Sequence, residues 1–118
     1  MSIKTDIRIA DNIFVKMMEM YYKGEIINGH SHVFDHITLL AKGRVLMKAD
    51  GKEHEHIAPA LIVTPKGVVH QFEALEHGTL LCCIHAVRDG DGVDDIAPQD
   101  ISEEDATAMT EKYSLTRF

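Results

Sequence analysis

The chain has 118 residues, of which 45% are hydrophobic and 26% are charged. This is the composition of an ordinary globular domain and not that of a disordered, collagen-like or coiled-coil chain, and the length predicts one domain over residues 1–118. The chain carries 19 acidic and 12 basic residues, with a net charge of −7. Nucleic acid is therefore not an expected partner, because binding to a phosphate backbone requires a basic surface.

Localisation is predicted from the apolar stretches and from the cysteines. The longest apolar runs, such as residues 80–84, are far shorter than the roughly 20 residues that cross a bilayer, and residues 1–6 lack the apolar core of an export signal. No membrane interaction is expected. Cys82 and Cys83 are adjacent, and a disulfide between neighbouring residues is unfavourable. Free thiols are typical of a reducing compartment, so the chain is predicted to be cytoplasmic.

The middle of the chain is predicted to consist of β-strands. Residues 12–22 carry apolar side chains on both alternating faces, which predicts a strand that is buried on both sides. Residues 37–49 and 52–63 flank Asp50-Gly51, a strong signal for a tight hairpin. Two further segments rich in β-branched and apolar residues, 68–74 and 79–87, follow a turn at Pro65-Lys66-Gly67. Strands at this short spacing indicate a sandwich or barrel.

The last part of the chain has a different pattern. Ser102 is followed by Glu103, Glu104 and Asp105, an N-terminal capping box with acidic residues in the first turn. The sequence therefore predicts one C-terminal helix over residues 102–113 in an otherwise all-β chain.

Histidines are the most informative residues, since the chain has 8 of them. In an extended segment, His30 and His32 lie on one face about 6 to 7 Å apart, a spacing at which two ligands can converge on a metal ion. In a straight strand His36 would be about 13 Å from His32, too far to share that ion. We therefore expect a bend at residues 33–35, with His36 at the start of the returning strand.

A helix over residues 32–42 is the alternative. It would place His32 and His36 one turn apart, as in a zinc-protease helix but without its glutamate. The β-branched residues and the hairpin downstream favour strands.

The spacing of these residues resembles that of the cupins. Gly24, His30-Ser31-His32, His36 and Gly43 follow the first cupin motif, with histidine in place of its glutamate. Residues 65–70, Pro-Lys-Gly-Val-Val-His, resemble the core of the second motif, although Pro59 and Ala74 replace its first glycine and its final asparagine. The resemblance covers residues 24–43 and 59–74. It implies a double-stranded β-helix (cupin or jelly-roll) barrel with a metal in its mouth, held by His30, His32, His36 and His70.

Other residues are assigned by strand parity. Thr38, Leu40 and Phe72 share parity with His36 or His70 and are expected to line the substrate pocket. His85 shares parity with Leu81 and Cys83, so it is either a proton carrier or a packed histidine. His85 and Tyr22 are the candidate catalytic residues. His54 and His56 lie among charged residues, and Asp89, Asp91 and Asp94 lack the pattern of a calcium loop, so both groups are expected to be solvated.

The expected cofactor is one divalent transition-metal ion per chain. Imidazole is a suitable ligand for Fe, Mn, Ni, Cu and Zn alike, so the sequence does not select among them. Four neutral ligands leave the charge of the ion uncompensated, which favours a small molecule that chelates through anionic oxygens. The function predicted first is an Fe(II)-type dioxygenase that acts on such a molecule. A redox-neutral isomerase, cyclase or lyase and a non-catalytic small-molecule binding module are the alternatives. The apolar residues 12–22 also predict a homodimer.

Overall fold

The computed structural model describes residues 3–28 and 36–87, apart from the side chain of residue 36. His30, His32 and the predicted helix at 102–113 lie outside the described residues. The strands are β1 (Ile3–Ala10), β2 (Ile13–Met20), β3 (Ile26–Asn28), β4 (His36–Lys42), β5 (Arg44–Ala49), β6 (Lys52–Ile57), β7 (Ala60–Thr64), β8 (His70–Ala74) and β9 (Thr79–Ala86). Within these ranges no helix is long and apolar enough to cross a bilayer. The predicted all-β architecture is confirmed.

The strands form two antiparallel sheets that enclose one core. The first sheet has the order β1-β2-β9-β4-β7 and the second has the order β3-β8-β5-β6. Side chains that alternate along each strand point between the sheets, as in a β-sandwich closed into a barrel. The buried cluster consists of Met18, Met20, Leu40, Val45, Met47, Ile62, Phe72, Ala74 and Leu81.

The hairpin predicted at Asp50-Gly51 is present. Both residues have positive φ, 53° and 71°, as a two-residue type I′ turn requires. Each predicted arm, however, is two strands rather than one. The breaks are at Gly43 and at residues 58–59, where the Ala58 N–H donates to the Gly43 carbonyl at 3.0 Å. At this level both arms leave one sheet and enter the other, so that β5 pairs with β6 and β4 pairs with β7.

The prediction that residues 12–22 form a strand buried on both faces is wrong for β2. Phe14, Met18 and Met20 are buried, but on the other face Ile13 is 43% exposed, and Val15 and Met17 are only half-buried. The physical reason is that β2 belongs to an antiparallel sheet with one face on the core, whereas the pattern suggested a strand covered on both faces. β1 was not predicted, although Ile7 and Ile9 alternate with charged residues as in a strand with one face on the core.

Every strand runs between the same two ends of the barrel. At one end lie Gly43, Thr79 and residues 21–25, where the Gly24 N–H donates to the Ala74 carbonyl at 2.8 Å. We call this the closed end. At the other end β3 finishes, β4 and β8 begin and β9 finishes, so the backbones of Asn28, His36, His70 and His85 all lie there. We call it the mouth.

Candidate functional site

The interior of the barrel is apolar at the closed end and becomes polar towards the mouth. On the first sheet, Leu40 and Leu81 form one interior pair, and the next level holds Thr38 beside Cys83. The Thr38 hydroxyl lies 3.6 Å from the Cys83 thiol, and Lys16 is the register partner of Cys83 on the other side. At the closed end the buried Thr79 hydroxyl donates to the Glu76 carbonyl at 2.9 Å; the other polar groups that face the interior of the first sheet lie towards the mouth.

His70 is the first residue of β8 and is 6% exposed. Its Nδ1 lies 3.3 Å from the carbonyl oxygen of Val68, and its ring meets Phe72 edge-on with 5.7 Å between centroids. A carbonyl oxygen can only accept, so this hydrogen bond puts the proton of a neutral ring on Nδ1. The lone pair is then on Nε2, which is the arrangement of a metal-ligating imidazole whose other nitrogen is held by the protein.

His85 is on the interior face of β9 near the mouth. It is 8% exposed and pairs in register with Phe14 of β2. It therefore lies at the same end of the barrel as His70, on the opposite sheet. The parity prediction that His85 faces the interior together with Leu81 agrees with the burial of both side chains.

Thr64 ends β7 at the mouth and carries a buried hydroxyl. The residue is 1% exposed, and its Oγ1 makes no hydrogen bond within the described part of the chain. Leaving a buried hydroxyl without a partner costs roughly 1 to 3 kcal/mol. Its register partner is His36. A buried oxygen of this kind beside a predicted ligand is a position at which a bound molecule or water would gain a hydrogen bond.

Burial also raises the pKa values of both thiols. For Cys83 this effect is larger than the opposing contributions of the Thr38 hydrogen bond and of the charge on Lys16, so the pKa of the thiol is raised overall. Cys83 is therefore a neutral side chain at the mouth. No carboxylate occupies an interior-facing position on the described strands; Asp50 and Glu53 line the groove at this end of the barrel.

An open groove of about 710 Å³ leads to the mouth from outside. Its walls are the tip of the β5–β6 hairpin, residues 48–53, and the turn before β8, residues 67–71, with Asn28 between them. His70 contributes to this wall. Among the described residues, His70 is therefore the predicted metal ligand that lines this groove.

The residues predicted for the pocket are inside the barrel. Thr38 and Leu40 are both 0% exposed, and Phe72 is 2% exposed. Thr38 is next to the polar groups, whereas Leu40 and Phe72 pack in the apolar core. Their role towards a substrate stays a prediction.

The structure does not bring Tyr22 and His85 together. Tyr22 is 59% exposed and lies at the closed end, where its ring meets that of His77 edge-on at 6.1 Å. His85 is six residues along β9 from Thr79, a distance of roughly 20 Å. Of the two candidate catalytic residues, His85 therefore lies near the mouth and Tyr22 lies at the opposite end of the barrel.

The predicted metal ligands fall partly outside the description. Of the four histidines, His70 is described with its side chain and His36 with its backbone only. Within residues 3–28 and 36–87 there is no group of three His, Cys, Asp or Glu side chains placed to hold a metal. The sequence did not predict that Thr64 and Lys16 belong to the mouth. Strand parity could have shown it, because Thr64 alternates in phase with the buried Ile62 and Lys16 with the buried Phe14.

Comparison with solved structures identifies the fold. The chain superposes on KdgF from a Halomonas species with a TM-score of 0.62 and 19% identity, covering 70% of this chain and 76% of that one. It superposes on a cupin superfamily protein from Desulfitobacterium hafniense with a TM-score of 0.64 and 12% identity, covering 72% and 77%. The chain has the cupin fold.

A third similar structure is described as a double-stranded β-helix. It is an RmlC-like cupin with a double-stranded β-helix fold from Methanocaldococcus jannaschii, with a TM-score of 0.63, 11% identity and 72% and 80% coverage. No protein-family model and no curated protein sequence matches the chain. At these identities the likeness establishes the cupin barrel, and the chemistry has to be argued from this chain's own residues.

Proposed function

We propose that this cupin binds one divalent transition-metal ion at its mouth and acts there on a small organic molecule that chelates through oxygen atoms. The proposed ligands are His30, His32, His36 and His70. The observation that carries the proposal is His70, a buried imidazole at the mouth whose Nδ1 lies 3.3 Å from the Val68 carbonyl oxygen, which puts the lone pair of the neutral ring on Nε2.

Chain connectivity supports the same ligand set. Asn28, the last residue of β3, is in register with Gln71, the neighbour of His70. The next described residue is His36, whose backbone pairs with Thr64 at the same end of the barrel. His30 and His32 lie between these two points in the sequence, so both flanks of their segment are at the mouth.

The groups at the mouth are compatible with a metal and its chelated guest. Histidine nitrogen is a good ligand for first-row transition metals. The Thr64 hydroxyl, which has no hydrogen-bond partner among the described residues, can donate to an oxygen of the guest. When bound, the ion would act as a Lewis acid towards those oxygens. Thr38 and Thr64 would orient the molecule, and the buried walls would exclude water.

His85 favours a redox-neutral reaction at this site. An isomerase, cyclase or lyase needs a titratable side chain to move a proton to or from the substrate. His85 is buried on the interior face at the mouth, and an imidazole can both accept and donate a proton near neutral pH. We therefore assign proton transfer to His85 and place the function in this class.

An Fe(II)-type dioxygenase is the other reaction that the ligand set suits. It would use the same chelating substrate together with dioxygen, and it would not require His85 to carry a proton. A module that binds the molecule without turnover would need neither dioxygen nor proton transfer by His85.

One experiment separates these functions. Metal-loaded protein is incubated with a diketone, hydroxy-ketone or carboxylate panel in D₂O, and dissolved oxygen is followed together with deuterium incorporation by NMR. We expect deuterium incorporation without oxygen uptake, and its loss by about 10²-fold or more in His85→Gln. His54→Gln, at an exposed position on β6, is the matched control and should retain the parent rate.

The other outcomes contradict the assignment. Oxygen uptake in proportion to substrate would establish the dioxygenase. Binding of a panel molecule with neither signal would establish the binding module. Equal deuterium incorporation in parent and His85→Gln would remove His85 from the mechanism.

A further inference from the structure

Lys16 carries a positive charge on the interior face of the barrel wall. It alternates along β2 with Phe14 and Met18, whose side chains are buried in the core. Its register partners in the two neighbouring strands are Ile7 of β1 and Cys83 of β9. Among the interior-facing positions of the first sheet that the structure describes, Lys16 is the one Lys, Arg, Asp or Glu side chain. A charge at such a position costs desolvation that an apolar side chain would avoid, which indicates a functional role.

Side chains do not completely fill the barrel at the level of Lys16. Lys16 and Cys83 are both half-buried, although each faces inwards from a strand that has neighbours on both sides. One level closer to the closed end, Met18 and its register partner Leu81 are 4% and 0% exposed. Accessible surface on inward-facing side chains means that the interior is open at the level of Lys16 and packed at the level of Met18.

Lys16 lies just inside the mouth. Its register partner Cys83 precedes His85 by two residues in β9, and His85 lies at the mouth. Two residues of an extended strand span about 7 Å, so the row of Lys16 is about that far inside the row of His85. Burial raises the pKa of the Cys83 thiol, while the Thr38 hydrogen bond and the charge on Lys16 lower it by less. The ammonium group is therefore close to the interior surface that Cys83 forms.

We propose that Lys16 forms an anion-binding subsite inside the barrel, where its ammonium group binds a carboxylate of the guest whose chelating oxygens lie at the mouth. This inference rests on the proposed function and narrows its substrate class to chelators that carry an anionic group on a short carbon chain. An ammonium group has three N–H donors, so Lys16 can bind a guest oxygen in addition to a contact with the protein. A charge-assisted hydrogen bond of this kind is stronger inside a protein than in water.

The groove outside the mouth does not select for an anion. Its charged lining residues are Lys48 and Lys52 together with Asp50 and Glu53, so its positive and negative charges balance. The chain as a whole has a net charge of −7, which repels anions. A preference for an anionic guest therefore requires a cation inside the barrel, and Lys16 supplies one in a wall without interior-facing carboxylates on the described strands.

A matched pair of hydroxamates tests the subsite. A hydroxamate chelates a transition metal through two oxygen atoms. One probe carries a carboxylate at the far end of a short carbon chain, and the other carries a carboxamide of the same size there. Calorimetric titration of the metal-loaded parent should show at least about tenfold tighter binding of the carboxylate probe. In Lys16→Met, which keeps the length of the side chain and removes its charge, the two probes should bind about equally, with the affinity for the carboxamide unchanged.

Two further variants separate contact with the guest from general electrostatic attraction. Lys48→Met removes one positive charge from the groove at the same end of the barrel, and it should keep the parental preference for the carboxylate probe. Lys16→Glu should instead prefer a hydroxamate that ends in an ammonium group, a reversal that a loss of stability cannot produce. The metal content of every variant is measured by elemental analysis, so that affinities are compared at equal occupancy.

The outcomes distinguish this subsite from the proposed function. Equal binding of the two hydroxamates by the parent would overturn the subsite and leave the proposed function intact, because the chelating end still binds. A preference for the carboxylate that survives Lys16→Met, or that Lys48→Met lowers equally, would also overturn it. A parent protein that holds no metal, or that binds neither hydroxamate, would refute the proposed function and the subsite with it.

Discussion

Gly43 lies directly against Thr79 at the closed end of the barrel. A Cβ atom added to Gly43 would be 2.9 Å from the Thr79 Cα and would also clash with its Oγ1. The backbone of Gly43 has a φ of 87°, a conformation that side chains other than glycine rarely adopt. This is the point at which the chain passes from β4 to β5 and so from one sheet to the other.

Gly43→Ala is therefore expected to destabilise the protein by about 2 to 4 kcal/mol, from backbone strain together with overpacking against Thr79. Urea unfolding followed by circular dichroism measures this change. Gly51→Ala is the control, since its φ is also positive, at 71°, but nothing lies within 4 Å of an added Cβ. It should cost about 1 kcal/mol. Equal losses for the two variants would show that the clash with Thr79 is relieved.

The metal content of the protein should depend on the histidines proposed as ligands at the mouth. Elemental analysis of protein purified with added metal is expected to give about one equivalent per chain, and His30→Ala combined with His70→Ala should abolish it. The chain offers a matched control in His54 and His56, a second His-x-His pair on β6. The double alanine variant of that pair should keep the full equivalent. Full occupancy without His30 and His70 would refute the proposed ligand set.

His36→Glu tests the charge argument at the site. A carboxylate remains an adequate ligand, so the ion should be retained. Its negative charge should lower the affinity for anionic chelators by about 1.4 to 2.7 kcal/mol, which corresponds to one or two pKa-unit equivalents. Calorimetric titration with a carboxylate chelator at matched metal content measures the difference. If both proteins bind the chelator equally well, His36 acts on geometry or on metal selection and not on charge.

The Cys83 thiol should make stability depend on pH in the alkaline range. Burial raises the pKa of the folded thiol above its ordinary value of 9.0. As the pH rises, the thiol of the unfolded chain therefore loses its proton before the thiol of the folded chain does. The stability of the folded state consequently decreases from about pH 9 until the pH reaches the pKa of the folded thiol. The free energy of unfolding of Cys83→Ala should fall less between about pH 8 and 10 than that of the parent. Burial also raises the pKa of the Cys82 thiol, but this thiol is less buried, so Cys82→Ala should reduce the slope by less than Cys83→Ala does.

Local patterns predicted much of the barrel. The Asp50-Gly51 turn requires positive φ at two successive residues, and few residue pairs supply it as readily, so its hairpin could be assigned from the sequence. Strand parity placed Thr38, Phe72 and His85 on the interior, because alternation in an extended chain is fixed by backbone geometry. The paired cupin-like spacings around His30 and His70 indicated the architecture that the superpositions establish.

Other features depend on contacts between distant residues. No local pattern distinguishes one long strand from two at Gly43, since the break is required by the passage from one sheet to the other. Tyr22 and His85 were both reasonable proton carriers until the register placed them at opposite ends of the barrel.

The sequence by itself determined which residues alternate, where the tight turn lies and which histidines are spaced to share an ion, because these follow from short-range geometry. Only the tertiary structure decided that β7, β4, β9 and β2 are neighbours. Leu61, Leu39, Cys82 and Met17 are far apart in the chain, and each is an ordinary apolar residue in its own strand. Hydrogen bonding between the strands brings them into one row, so the outer face exists only once the sheet has formed.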